Sequence, residues 1–165
     1  MSDSNKLIDV IKKEVKVCFD MIELAINNMD DNEWGETKNE WSYATNLYHI
    51  IETMEFYLYD NENGMNNAGE LGIKTEDLSK EEIPTQINQL KKPFFVKYLE
   101  RVKDLLFTKL ETFTDSDLYD TDDFSKWGFT TRYYKYSYVI RHTMFHTGEL
   151  NLLLRNSGRS RIKWL

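Results

Sequence analysis

Apolar residues recur three and four positions apart over four separate stretches of this 165-residue chain, which is the spacing of one helix face. From about Asn5 to Met29, Ile8, Ile11, Val15, Cys18, Ile22, Ala25 and Met29 draw one narrow seam, with Ser4 placed to cap it. From about Trp41 to Tyr59 the seam is Ala44, Leu47, Ile51, Met54 and Leu58. Tyr43, Tyr48, Ile50, Phe56, Tyr57 and Tyr59 spread apolar surface around much of this second helix, which predicts contacts on several sides. A third helix starts at Pro93, a favourable first position, and carries Phe95, Leu99, Val102, Leu106, Leu110 and Phe113 inward. The fourth runs from about Thr131 to Asn156, with Gly158 as its stop.

The connections set the expected topology. Asp60 to Lys92 contains Asn61-Glu62-Asn63-Gly64, Gly69, Gly72 and Pro84, with a short helix predicted near Glu81 to Leu90. Such a link is long enough to cross a bundle, so the second and third helices can run parallel. The fold class expected is therefore all-α, a single four-helix bundle domain over residues 1–165 in up-down-down-up order. The acidic loop with Asp115, Asp117, Asp120, Asp122 and Asp123 lacks the spacing of a calcium loop and reads as a solvated turn with helix caps.

Composition removes several function classes. The charge is −7, and no basic stripe appears before the short Arg155 to Lys163 tail, so neither nucleic acid nor an anionic membrane surface is an expected partner. No apolar run approaches membrane-span length, and Met1-Ser2-Asp3-Ser4-Asn5-Lys6 lacks the basic start and apolar core of a signal peptide. A cytoplasmic location follows as the expectation. The single Cys18 lies on a helix seam and reads as a small core residue, with no intrachain disulfide to form. A Gly-rich phosphate loop, a nucleophile elbow and an H-E-x-x-H motif are all missing.

What chemistry remains centres on the chain's three histidines. His142 and His146 lie four apart on a helix, so their imidazoles share a face and could converge on one ion. The same spacing equally suits two partly buried histidines bonded to neighbours. Tyr138, Val139, Phe145, Glu149 and Leu153 lie on that face, and imidazoles among apolar groups need partners. Glu149 could accept an imidazole N–H, ligate directly, or serve as a general base. His49 falls almost opposite the second helix's seam, beside Ser42, Thr45, Asn46, Glu52 and Thr53. By periodicity it is a solvated histidine; the alternative is that this polar strip lines an open cleft facing the fourth helix.

The run Arg141-His142-Thr143-Met144-Phe145-His146-Thr147-Gly148-Glu149-Leu150 resembles the terminal-helix signature of DinB-like proteins, H-x-x-x-H followed by x-G-[EQ]-L. His49, within Leu47-Tyr48-His49-Ile50-Ile51, is similar to that superfamily's helix-two histidine. The resemblance implies an up-down-down-up bundle with His49, His142 and His146 as ligands of one divalent ion, usually zinc, nickel or iron. It further implies, for some members, transferase or isomerase chemistry with a low-molecular-weight thiol such as bacillithiol, mycothiol or glutathione. No thiol-binding motif stands out in this chain.

Three neutral imidazoles would leave an ion its full charge and an open position, the pattern of a catalytic rather than a structural metal. Such an ion could activate a water or a small thiol for hydrolysis or for attack on an electrophilic small molecule. Glu52 and Glu149 are the carboxylates placed for proton handling. Trp41, Tyr48 and Tyr138 could wall the pocket, although ordinary packing accounts for each. A di-iron carboxylate site ranks lower, because Glu14, Glu23, Glu100 and Glu111 lie off the apolar seams. A bundle that binds a small molecule or partner without catalysis is the other reading. The aromatic-rich second helix, with the family's habits, fits a homodimer.

Overall fold

The computed structural model describes residues 6–30, 32, 34, 41–61, 64, 66, 68–73, 75, 85–163 and 165. Four long helices form, each on one of the predicted stretches: α1 (Lys6–Asn28), α2 (Tyr43–Phe56), α3 (Lys92–Glu111) and α4 (Arg132–Asn156). A helical turn at Thr85–Asn88 and two 3-10 turns, Ser116–Tyr119 and Asp123–Trp127, lie in the connections between them. Among the described residues there is no strand. The predicted cap Ser4 and the start of the predicted short helix at Glu81 lie outside the described residues. Two other caps are in place. The Ser42 side chain accepts from the Thr45 amide at 3.0 Å, and the Thr131 side chain from the Tyr134 amide at 3.1 Å.

Contacts between helix ends fix the direction of each. The Tyr43 hydroxyl, at the start of α2, donates to Ala25 O near the end of α1, so these two run antiparallel. Leu7 and Ile8 amides at the start of α1 donate to Asp115, just beyond α3, which makes α1 and α3 antiparallel. Arg159, past the end of α4, pairs with Asp30, past the end of α1, so α1 and α4 are parallel. Lys109, late in α3, pairs with Asp60, which follows α2. The order is up-down-down-up. It obliges the α2–α3 connection to return the length of the bundle.

The core is the set of seams read from the sequence. Ile8, Ile11, Val15, Cys18, Ile22 and Ala25 of α1 meet Ala44, Leu47, Ile51 and Met54 of α2, and Phe95, Leu99, Val102, Leu106 and Leu110 of α3, all essentially buried. Each Val, Leu, Ile, Met or Phe among them contributes about 1.5–3 kcal/mol by leaving water, which is why the three-four rhythm dictates the packing. Trp34 closes one end, stacked on Phe95 at 5.2 Å and edge-on to Tyr43 at 5.6 Å. Burial pushes the Cys18 thiol up to about 12, as expected of a core residue.

The crossover does more than connect. Its described residues lie antiparallel along the polar strip of α2 and supply partners to it. The Gly69 amide donates to Glu55 Oε2 at 3.0 Å, the Leu71 amide to the Tyr48 hydroxyl at 3.1 Å, and the Thr75 hydroxyl to Glu52 Oε2 at 2.8 Å. Near the start of α2, Asn88 Oδ1 accepts from both Ser42 and Thr45. Gly69 adopts φ +92°, and a Cβ there would stand 3.1 Å from the Tyr48 hydroxyl and 3.3 Å from Glu52 Cγ, so glycine is what lets the segment lie this close. Ser42, Thr45, Asn46, His49, Glu52, Thr53 and Glu55 are all buried. The expectation that this strip faces solvent or an open cleft is corrected: the crossover supplies partners to Ser42, Thr45, His49, Glu52 and Glu55, while Thr53 Oγ1 is buried without a hydrogen-bond partner among the described residues.

Glu55 is the strongest of these ties. Arg101 of α3 donates to both its oxygens at 2.8 and 2.9 Å, and the Tyr98 hydroxyl adds a third contact at 2.9 Å. Burial alone would push the Glu55 carboxyl up, but the hydrogen bonds from Arg101, Gly69 and Tyr98 outweigh it and hold the group below its ordinary range. The acidic loop is also less solvated than its composition suggests. Asp115 caps the start of α1, and the Asp122 carboxylate is nearly buried against Lys135, whose ammonium also reaches Tyr59 O and Asp60. Among the described residues, no helix is long and apolar enough to cross a membrane.

Candidate metal centre

Two helices bring the three histidines together. His49 stands in the middle of α2, and His142 and His146 lie one turn apart in the middle of α4. His49 Nε2 is 3.2 Å from His142 Nε2 and 3.2 Å from His146 Nε2. One ring nitrogen from each histidine lies within 4.8 Å of the other two. Two nitrogens bound at about 2.0–2.1 Å to one ion stand about 2.9 Å apart at a right angle and about 3.4 Å apart at the tetrahedral angle. The two separations from His49 fall between those values.

Hydrogen bonds on the far sides of the rings decide where the protons sit. The Thr75 hydroxyl gives its one proton to Glu52, so towards His49 it can only accept, and His49 Nδ1 donates to it at 2.7 Å. His146 Nδ1 donates to Glu149 Oε2 at 2.6 Å. Neutral imidazoles arranged this way turn the Nε2 lone pairs of His49 and His146 towards each other at 3.2 Å. His142 Nδ1 is buried with no hydrogen-bond partner among the described residues. A proton on His142 Nε2 would satisfy its contact with His49 and leave the contact between His49 and His146 unmatched. One cation satisfies both, so the donor set fits a metal ion.

Two of the rings are also held in the neutral form a metal requires. Burial, followed by the proximity of His142 and His146, lowers His49 to about 3. Burial, followed by His146, lowers His142 to about 4. Both are neutral at pH 7, and loading an ion there displaces no proton from either.

Exposure is uneven. His49 is 4% exposed, whereas His142 and His146 are half-buried. The centre is thus closed by the crossover on the α2 side and partly open along α4. The expectation that the histidine pair sits on an apolar face needs correction as well. The core face of α4 is Tyr136, Val139, Thr143, Thr147, Leu150 and Leu154. The histidines mark its edge, and Phe145, 66% exposed, lies outside it. Each histidine has an aromatic neighbour: Trp41 is 5.0 Å from His49, Tyr138 5.6 Å from His142, and Phe145 5.0 Å from His146. Tyr48, expected beside these, packs instead on Phe94 and Tyr98 of α3.

Of the predicted carboxylates, Glu149 touches a histidine directly and Glu52 does so through Thr75. Thr75 itself was invisible to sequence reasoning, since one threonine in a long polar connection carries no periodicity or motif. Glu14, Glu23, Glu100 and Glu111 are all exposed, and among the described residues the histidine cluster includes no carboxylate, which gives the di-iron alternative no support.

A sequence model of the DinB superfamily matches residues 15–150, well over half of the chain and a span that takes in all three histidines, Glu52, Thr75 and Glu149. No curated protein and no solved structure matches the chain.

Proposed function

The chain belongs to the DinB superfamily, and from that premise we propose that it holds one divalent ion on His49, His142 and His146 and acts on a small molecule. The observation that carries this reading is the convergence of two Nε2 lone pairs whose opposite ring protons are already engaged, by Thr75 and Glu149. Zinc, nickel and iron all suit an imidazole donor set. When bound, the ion would supply charge and an open position, lowering the pKa of a water or low-molecular-weight thiol for transfer, isomerisation or hydrolysis.

The protein's own residues divide the remaining work. His49 is anchored from behind by the crossover and fixes one direction of approach. His142 and His146 present the partly open side, with Tyr138 and Phe145 flanking the entrance. Glu149, with its side chain 46% exposed, orients His146 and keeps lone pairs for a proton arriving from a substrate. Glu52 is the inner carboxylate, behind His49.

Elemental analysis of the purified chain and of His49→Ala, His142→Ala and His146→Ala tests the reading. The parent should carry about one divalent ion per chain and each variant much less, since a three-ligand site loses a third of its donors with each substitution. A His49→Ala variant that binds metal as well as the parent would remove His49 from the set. Two irons per chain would replace the reading altogether.

A further inference from the structure

We propose that Thr75 is a positioning residue of the histidine centre, fixing His49 in the tautomer whose Nε2 lone pair faces His142 and His146, with Glu52 acting through it. The proposal rests on the metal reading above and adds a control on it that lies outside the bundle helices.

The geometry is a two-step relay. Glu52 Oε2 accepts from Thr75 Oγ1 at 2.8 Å, and Thr75 Oγ1 stands 2.7 Å from His49 Nδ1. Thr75 is fully buried, Glu52 is 3% exposed and His49 4%. In such surroundings water does not substitute for a lost partner, and an unmet imidazole N–H is costly. Since the hydroxyl has a single proton and Glu52 takes it, the ring nitrogen facing Thr75 is the donor. Nε2 is thereby left with its lone pair.

The α4 side provides an internal comparison. Glu149 follows His146 by three residues, as Glu52 follows His49 by three, yet Glu149 reaches its ring directly at 2.6 Å. In α2 a hydroxyl from the crossover, 26 residues along the chain from His49, is inserted between the two. Equal spacing thus gives different wiring, and one ligand's orientation depends on the crossover being seated on α2. Groups that orient a metal-bound histidine in this way change affinity by about 10–100-fold when removed.

The test uses Thr75→Val and Thr75→Ser in the full chain, stripped with a chelator and titrated with cobalt(II), together with long-range proton–nitrogen spectra of the imidazoles in the metal-free protein. In the parent, His49 should be the Nδ1–H tautomer. Thr75→Val should lose that preference and bind cobalt(II) about 10–100-fold more weakly, while Thr75→Ser stays within about threefold of the parent. Parent-like affinity and tautomer in Thr75→Val overturn the proposal. A parent that takes up no cobalt(II) overturns the metal reading, and the positioning role with it, even where the tautomers respond as described. Should Thr75→Val fail to fold by far-ultraviolet circular dichroism, Glu52→Gln decides. Loss of the anionic acceptor should then weaken cobalt(II) binding about tenfold, and unchanged binding overturns the relay.

Discussion

Replacing Arg101 by alanine separates the crossover's anchorage from the metal centre, and its cost can be worked from the structure. Glu55 is 1% exposed and takes two hydrogen bonds from Arg101, with Tyr98 and Gly69 supplying the others. Removing one partner of a buried pair typically costs about 3–5 kcal/mol because the remaining charge stays buried. The Arg101 side chain is 38% exposed, so part of its attraction is already screened and the lower figure applies, about 3 kcal/mol. For a chain of this size that is a fall of about 6–12 °C in Tm.

The pH dependence has a definite sign. The Glu55 pKa in the folded protein is depressed, so its contribution is present above the unfolded value and is lost as pH falls through the folded one. Arg101→Ala withdraws the largest lowering influence and lets burial raise the folded value. The gap between parent and variant should therefore be full at pH 7 and narrow as the pH approaches about 4. Thermal melts of chelator-treated protein at several pH values measure this without interference from bound metal. A shift under about 2 °C at pH 7, or a gap that widens on acidification, would refute the account of Glu55 as a buried, ionised anchor.

Three further outcomes follow from other residues. Lys135→Met leaves Asp122 buried without its ammonium partner and should destabilise the chain by about 3–5 kcal/mol in urea titrations. Asp115→Ala removes the acceptor for the Leu7 and Ile8 amides and should cost about 1–2 kcal/mol, with faster hydrogen exchange confined to the first turn of α1. Glu149→Ala should weaken divalent-metal affinity by about tenfold in calorimetric titration and leave Tm within about 2 °C, since the carboxylate is partly exposed and touches the ring alone among the contacts described.

The helices were legible because their seams are local: Leu47, Ile51 and Met54 in α2, or Phe95, Leu99 and Val102 in α3, point inward by spacing alone. His142 and His146 were legible as a pair for the same reason. His49 was not, because periodicity describes a helix in isolation. Nothing in Ser42, Thr45, His49 and Glu52 announces that Thr75 and Asn88 will meet them with complementary groups. The resemblance to DinB-like proteins put His49 beside the α4 pair where its own face argued otherwise. Asp115 and Thr75 escaped for a related reason. Each is a polar loop residue whose partner lies far along the chain, 108 residues away in one case and 26 in the other. The reading of Phe145 as part of an apolar face failed at the boundary of that face, where a turn of one position separates buried from exposed.

If the three histidines hold an ion as proposed, the wiring of His49 bears on when the protein can first do so. His142 and His146 are neighbours as soon as α4 coils, but two imidazoles make an incomplete set. The third arrives across a separation of 93 residues, and its ring is oriented by a hydroxyl on neither helix. Donors contributed in this way close a large loop, and that entropy is recovered only once native topology exists. A nascent chain would thus pass through synthesis of α1, α2, the crossover and α3 with no competent trap for metal. On the proposed metal reading, tight loading would report that the bundle has closed, and metal content would serve as a measure of correctly assembled chains in a preparation.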